Sequence, residues 1–179
     1  MKKNKISKNW INRQRKDIYV RKSKIEGFRS RAVYKLKEID EKFKIFKQVN
    51  SLVDLGAAPG SWSQYASNKI KGKKILSIDL IEFEKIKNIH QIIGDFTDEN
   101  CKEEIKKYFN TKIDLVISDM AVNTIGNKNI DSIVTGELCL EAMNFALKIL
   151  NQDGKFVSKI FMDLVSMKLL LMLKNLLKM

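Results

Sequence analysis

Short apolar runs recur along the chain, and stretches with a helical pattern of polar and apolar residues separate them. The runs rich in Ile, Val and Leu predict strands at Ser51–Leu55, Lys74–Asp79, Ile89–Gly94, Ile113–Asp119 and Lys155–Phe161. Helical patterns occupy about 62–70, 81–87, 99–109 and 135–150. Strands that alternate with helices build βαβ units, so we predict an α/β fold with a mostly parallel sheet and helices on both faces.

Two segments flank this alternating region. Residues 1–24 predict a polar, basic helix or arm, and an amphipathic helix follows between Arg29 and Phe46. The segment from Met162 to Met179 is dominated by Leu, Met and Lys, and we favour a helix packed on the sheet over a membrane-surface helix. We therefore divide the chain into a basic N-terminal arm and helix, residues 1–48, and an α/β region, residues 49–179, which form one structural unit.

The net charge of +13 is unevenly distributed. Residues 1–48 hold 17 lysines and arginines against five acids, whereas the remaining residues hold 17 against 16. Aromatic residues, among them Trp10 and Tyr19, are interleaved with the early charges. A basic arm on a nearly neutral body predicts a polyanionic partner, most simply RNA or DNA, although a lysine-rich tail without a partner is the alternative.

Other classes of protein are disfavoured. The two cysteines, Cys101 and Cys139, have no CxxC partner, and the single histidine, His90, lies in a predicted strand, so we expect no metal site and no disulfide. The basic N-terminus lacks an apolar signal region, and no run of about 18 apolar residues predicts a membrane span. We expect a cytoplasmic protein that does not bind membranes and is a monomer.

Acidic residues lie where ligands bind in parallel sheets, beyond the carboxyl ends of the strands. The first strand leads into the small-residue turn Gly56–Gly60. Asp79, Asp95 and Asp119 end the second, third and fourth strands, and Lys159 lies on the fifth. Asp79 is placed to accept hydrogen bonds from ribose hydroxyls, and Asp95 from the exocyclic amine of an adenine. Because the chain has no phosphate-binding GxxxxGK[ST] motif, S-adenosylmethionine suits this acidic site better than a nucleotide polyphosphate.

Two blocks of the chain are highly specific. They are Ser30-Arg31-Ala32-Val33-Tyr34-Lys35-Leu36 with Glu38-Ile39, and the run from Asp54 to Gln64 with the sequence DLGAAPGSWSQ. Further pieces are Trp10, 17–20, 27–29, 94–96, 118–121 with Asn123, and 156–161. Together these blocks resemble the FtsJ/RrmJ family of RNA 2′-O-ribose methyltransferases, and the likeness extends from residue 10 to about residue 161.

The resemblance implies a Lys-Asp-Lys-Glu catalytic tetrad, of which this chain matches Lys35, Asp119 and Lys159. It also implies S-adenosylmethionine binding by Gly60, Trp62, Asp79, Asp95 and Asp119. In this scheme Lys159 is the base for a ribose hydroxyl and Asp119 orients it. Lys35 would hold the substrate and, as a second cation, help Lys159 to lose its proton.

The likeness is incomplete in two places. Val122 stands where the family usually has a proline, which affects the rigidity of the loop more than its chemistry. The family also continues into two further strands that carry the tetrad glutamate, so we expect a C-terminally truncated Rossmann-like methyltransferase fold that lacks this strand hairpin. Glu137 and Glu141 are the candidates to replace the glutamate.

The resemblance implies S-adenosylmethionine-dependent 2′-O-methylation of a uridine ribose in large-subunit, 23S-type ribosomal RNA, with that RNA in the large ribosomal subunit as the expected partner. The Asp54-Leu55-Gly56 and Asn123–Gly126 stretches favour this ribosomal branch over a tRNA 2′-O-methyltransferase. The alternative from another class is a non-catalytic RNA-binding or ribosome-assembly remnant of such an enzyme.

Overall fold

The structure is a computed structural model that describes residues 17–120 and 128–160. Its helices and strands, in chain order, are α1 Ile18–Ile25, α2 Val33–Phe43, β1 Ser51–Leu55, α3 Ser61–Lys69, β2 Lys74–Asp79, β3 His90–Ile93, α4 Glu99–Phe109, β4 Ile113–Ser118, α5 Lys128–Ile149 and β5 Leu150–Ser158. Three regions named above lie outside the described residues: Trp10, the Asn123–Gly126 stretch and the segment from Met162 to Met179. The expectations made for them stay predictions.

All the described strands are parallel and form a five-stranded sheet in the order β3-β2-β1-β4-β5. β1 lies at the centre, where Val53 is paired with Leu76 on one side and with Val116 on the other. In this part of the chain β5 is an edge strand. The α/β fold with a parallel sheet, predicted from the alternation of strands and helices, is confirmed.

Successive residues of the central strands pack against opposite layers of helices, because side chains alternate across a sheet. Leu52 belongs to the core under α2 and α3, whereas Val53 belongs to the core under α4 and α5. Both side chains are fully buried. Burial of an aliphatic side chain of this size contributes about 1.5–3 kcal/mol, so the two cores together stabilise the sheet from both faces.

α2 is fastened to α3 through a buried acid. The carboxylate of Asp40 in α2 accepts a hydrogen bond from the Tyr65 hydroxyl at 3.1 Å and pairs with Lys69 Nζ at 2.9 Å, both in α3. Burial raises the pKa of Asp40, but hydrogen bonds from Lys69, Tyr65 and the backbone N–H of Phe46 outweigh it and hold the pKa below its usual value. The pairing fixes the helix that carries Lys35 against the helix that follows the glycine turn.

The predicted helix over 81–87 is wrong, because no helix forms between β2 and β3. Two carbonyls that a helix would use internally, those of Glu84 and Lys85, instead accept hydrogen bonds from the guanidinium of Arg29. A residue about 55 positions earlier in the chain therefore decides the conformation of this segment.

The predicted start of the fifth strand is also wrong. β5 begins at Leu150 rather than Lys155, and Asp153-Gly154, predicted as a turn before the strand, lies within an irregular part of it. The partners there pass from Ile113–Leu150 to Leu115–Lys155, so extra residues of β5 are accommodated without a partner in β4.

Among the helices of residues 17–120 and 128–160, none combines the length and the apolar character that a membrane span needs.

Candidate active site

A cavity of about 630 Å³ opens at the carboxyl ends of β1, β2, β3 and β4. Its volume is within the range of about 300–1,000 Å³ that small-molecule sites occupy. Its lining includes three acids, namely Asp79, Asp95 and Asp119. The cavity therefore brings together three of the five residues predicted to bind a cofactor.

The wall of this cavity on the β1 side is bare backbone at Gly56. Gly56 has a φ of 72°, in the left-handed region, and its N–H donates to the carbonyl of Ile78 at 2.9 Å. A Cβ at this position would lie only 2.0 Å from Cγ of Met120. Both the backbone conformation and the close approach of Met120 therefore require glycine here.

Asp79 holds the two loops on either side of it. Its Oδ2 accepts from the N–H of Ala58 at 2.8 Å, and its Oδ1 accepts from the N–H of Ile81 at 2.9 Å. Each carboxylate oxygen has a second lone pair, so both remain able to accept a hydrogen bond from a ribose hydroxyl. Asp79 therefore orders the cavity rim and still offers acceptors to a ligand.

Asp95 is arranged differently, because the hydrogen bonds of its side chain to other described residues are all accepted by one carboxylate oxygen. Oδ1 accepts from the N–H of Thr97 at 2.9 Å and from the Thr97 hydroxyl at 2.7 Å. Within the described residues Oδ2 accepts no hydrogen bond, which leaves it available to a donor such as an amine. The carboxylate is thus held at one oxygen and open at the other.

Asp119 and Lys159 form an ion pair at the edge of the cavity. Nζ of Lys159 lies 2.9 Å from Oδ1 of Asp119 and donates to the backbone carbonyl of the same residue, also at 2.9 Å. The two side chains are 18% and 17% exposed. They follow Ser118 and Ser158, which are directly paired in β4 and β5, so the parallel register places them side by side.

Asp54 lies below the glycine turn and does not line the cavity. Its side chain is fully buried, and its Oδ2 accepts from the Ser63 hydroxyl at 2.5 Å, which in turn lies 2.6 Å from the Ser77 hydroxyl. Burial raises the pKa of Asp54 to about 7; the charges of Asp119 and Asp79 act in the same direction, and the Ser63 hydroxyl opposes them. The carboxyl edge therefore concentrates negative charge, which suits a cationic ligand.

Two of the predicted cofactor residues lie outside the cavity lining. The Trp62 ring is 2% exposed, and its Nε1 donates to the carbonyl of Ala32 at 2.9 Å, so it joins α3 to the start of α2. Gly60, with a φ of 97°, is packed against the side chains of Arg29 and Phe83. Only the backbone of either residue is left to contact a cofactor, and their assignment stays a prediction.

Lys35 is exposed on α2, a different element from the ion pair, and its part in the site also stays a prediction. Of the glutamates considered as replacements for the missing tetrad member, Glu137 is exposed, whereas Glu141 lies 3.6 Å from Lys102 Nζ. That contact directs Glu141 to α4 rather than to the Asp119–Lys159 pair.

Apolar residues that were not predicted as site residues also line the cavity. Leu80 and Ile81 line it and are 69% and 66% exposed. Phe96 and Met120 line it as well. The signal in the sequence was the apolar pair Leu80-Ile81, which directly follows Asp79, although Ile81 falls in the helix predicted for 81–87.

Comparison with known proteins identifies the family to which the chain and its cavity belong. Residues 28–179 match the family model described as FtsJ-like methyltransferase. The chain belongs to that family. The match includes Lys35, the glycine turn, the three acids of the cavity and Lys159, and so extends over the whole described site.

Relatives of this family member are named for ribosomal RNA. The chain is 60% identical over 162 residues to "Ribosomal RNA large subunit methyltransferase E" of Pelagibacter ubique, covering 90% of this chain and 80% of that protein. The protein of the same name from Rickettsia bellii is 52% identical, over 87% of this chain and 71% of the relative.

A solved structure described as that of a ribosomal RNA methyltransferase from Plasmodium falciparum has a TM-score of 0.75 and 32% identity, covering 83% of this chain and 86% of that one. The MycE methyltransferase of mycinamycin biosynthesis, at 18% identity and a TM-score of 0.54, shares the fold. Together these likenesses confirm the Rossmann-like methyltransferase fold.

Proposed function

We propose that this chain is an S-adenosylmethionine-dependent methyltransferase that modifies the 2′-hydroxyl of a uridine ribose in large-subunit ribosomal RNA. The observation that carries the proposal is the Asp119–Lys159 ion pair beside an acidic cavity, in a member of the FtsJ-like methyltransferase family. The names of the relatives support ribosomal RNA over tRNA as the substrate.

The carboxylates that line the cavity fit the charge and the hydrogen-bond donors of the cofactor. S-adenosylmethionine supplies, when bound, a methyl group on a positively charged sulfur, and the three acids around the cavity favour a cation. Asp79 would accept from the ribose hydroxyls and Oδ2 of Asp95 from the adenine amine. Gly56 contributes only backbone to the cavity wall, and the Met120 side chain packs against it where a side chain of residue 56 would otherwise lie.

The reaction requires a base, because a ribose hydroxyl is a weak nucleophile near neutral pH. We assign this part to Lys159, whose Nζ, once neutral, would accept the hydroxyl proton. The ribose oxygen would take the methyl group as the methyl–sulfur bond breaks, with S-adenosylhomocysteine as the leaving group. Asp119 fixes the position of that nitrogen through two contacts, one from its carboxylate and one from its carbonyl. Lys35 would hold the substrate phosphate or ribose.

Alignment of the hydroxyl with the methyl group supplies much of the rate. In well-oriented systems this effect is worth up to about 7–11 kcal/mol. The backbone N–H of Lys159 donates to the carbonyl of Ser118 in β4 at 2.9 Å. This hydrogen bond holds Lys159 beside β4 and so contributes to the alignment. We expect the protein to act as a monomer on the large ribosomal subunit, in the cytoplasm where that substrate occurs.

The test is transfer of a labelled methyl group from S-adenosylmethionine to large ribosomal subunits that lack the modification, followed by digestion to single nucleosides. A labelled 2′-O-methyluridine is the expected product. Free ribosomal RNA and tRNA serve as parallel substrates and identify the preferred one. A folded chain that binds RNA and transfers no methyl group to any of them would favour the non-catalytic remnant instead.

A further inference from the structure

The segment between β2 and β3, residues 80–89, forms one wall of the cavity and has no regular structure. We call it the connector. Its first residues, Leu80 and Ile81, line the cavity, so its position sets the shape of the site. A wall of this kind must be held from outside, because it lacks the repeated hydrogen bonds of a helix or strand.

The guanidinium of Arg29 supplies that support. Nη1 donates to the carbonyl of Glu84 at 2.5 Å, and Nη2 donates to the carbonyl of Lys85 at 3.2 Å. Nη1 also donates to the carbonyl of Pro59 at 3.1 Å, in the turn between β1 and α3. One side chain therefore ties the connector to the glycine turn.

Packing around Gly60 shows how closely these parts fit. A Cβ on Gly60 would lie 3.0 Å from Nη1 of Arg29 and 2.8 Å from Cε2 of Phe83. The Arg29 side chain is only 18% exposed. Three of its N–H groups donate to protein carbonyls, although Arg29 belongs to the basic N-terminal region.

We propose that Arg29 is a positioning residue for cofactor binding, which acts by holding the connector against the glycine turn. The inference rests on the proposed function, since it takes the cavity to be the S-adenosylmethionine site. It also separates Arg29 from the basic residues expected to bind RNA phosphates. Three of the five guanidinium N–H groups donate to protein carbonyls, including both on Nη1, so the side chain is held by the protein in a fixed orientation.

Arg29→Lys distinguishes these two roles because it keeps the charge. A single ammonium cannot reach carbonyls that a planar guanidinium bridges, whereas it would still attract a phosphate. We expect the Kd for S-adenosylhomocysteine, measured by calorimetry, to rise about tenfold or more, the cost of about one charge-assisted hydrogen bond. Affinity for ribosomal RNA and its salt dependence should stay within about twofold of wild type.

Two control variants accompany it. Arg21→Lys changes an exposed arginine of α1 in the same chemical way and should leave cofactor binding unchanged. Glu84→Ala removes a carboxylate that is 89% exposed and lies 3.7 Å from Arg29, while the Glu84 backbone carbonyl remains. This variant should also bind S-adenosylhomocysteine normally, because the carbonyl and not the carboxylate receives the Arg29 hydrogen bond.

Hydrogen exchange of the connector amides provides the second measurement. In folded Arg29→Lys the amides of residues 81–88 should exchange faster, with exchange in β1 unchanged. In steady-state assays the variant should show a higher KM for S-adenosylmethionine with kcat retained.

Three results would overturn the inference: unchanged S-adenosylhomocysteine binding by Arg29→Lys, a loss of RNA affinity without a loss of cofactor affinity, or global unfolding of the variant. Failure of the wild-type chain to bind S-adenosylhomocysteine would instead overturn the proposed function.

Discussion

Asp54 and Asp119 lie at the carboxyl ends of neighbouring strands, yet they have different surroundings. Asp54 is still within β1, fully buried, and its hydrogen-bond donor is a neutral serine hydroxyl. Asp119 is one residue beyond β4 and pairs with the cation of Lys159. Desolvation destabilises a buried carboxylate that has only neutral partners, whereas attraction to a neighbouring cation offsets this unfavourable free energy.

The two acids therefore have different roles at the same edge of the sheet: Asp54 supports the fold, whereas Asp119 lines the cavity. Asp54 is directed towards Ser63 in the first turn of α3, on the face of the sheet that packs against α2 and α3. Asp119 lies past the last paired residue of its strand, where the cavity begins. Position relative to the strand end, by a residue or two, therefore decides whether an acid supports the site or lines it.

The strongest way to test this comparison is to remove the cation. Lys159→Met should lower the rate of methyl transfer by about 10²–10⁴-fold, the usual contribution of a general base. Labelled methyl transfer measures the rate, and calorimetry with S-adenosylhomocysteine shows whether the cavity is intact. Lys159→Arg keeps the partner of Asp119 but removes a usable base, so its activity should fall as well. Retention of activity within about tenfold in Lys159→Met would contradict the assigned base.

Gly56, which follows Asp54 by two residues and lines the cavity with Asp119, provides the next test. Gly56→Ala should destabilise the chain by about 1–3 kcal/mol and abolish cofactor binding, because the new Cβ would meet Met120 at 2.0 Å. Gly72→Ala is a matched control, since Gly72 has nearly the same φ, 73° against 72°, with nothing within 4 Å of its would-be Cβ. Urea unfolding and S-adenosylhomocysteine binding compare the two. Equal effects would show that backbone strain alone explains the glycine.

Asp54 predicts a pH dependence of the free energy of unfolding. With a folded-state pKa of about 7 against an ordinary value of 3.8, folded Asp54 keeps a proton that the unfolded chain releases. Between these two values its contribution to stability therefore falls as pH rises.

Relative to Asp54→Asn, the free energy of unfolding of wild type should fall by about 1–2 kcal/mol between pH 5.5 and 7. Urea titrations of both proteins at the two pH values measure it, and other titrating groups cancel in the difference. Parallel pH profiles for the two proteins would show that Asp54 is ionised throughout.

The smallest effect is expected at Glu141, one of the two glutamates considered as replacements for the missing tetrad member. Because it faces Lys102 at 3.6 Å, Glu141→Gln should change the methyl-transfer rate by less than about twofold, and stability by no more than about 1 kcal/mol. Thermal melting and the labelled-transfer assay check both. A loss of activity comparable to that of Lys159→Met would place Glu141 in the site after all.

Much of this could be predicted from the residues alone because it is local. β1 and β2 have the predicted bounds, since short runs of branched apolar residues bounded by turns define buried strands. Asp79, Asp95 and Asp119 were expected to meet because the carboxyl ends of parallel strands lie at one edge, and all three line the cavity. The Asp119–Lys159 pair follows from the same rule once β4 and β5 are neighbours.

What sequence patterns could not reveal depends on partners far away in the chain. The connector has a helical pattern, but the guanidinium of Arg29 takes its carbonyls, and no local pattern encodes that contact. The burial of Trp62 against α2 is likewise a product of packing. Local preferences of the backbone amount to fractions of a kcal/mol per residue, so a few charge-assisted hydrogen bonds from a distant side chain outweigh them. The chain's own pattern thus determined the order of strands and helices and the edge at which acids collect, and tertiary contacts decided which of those residues face the ligand.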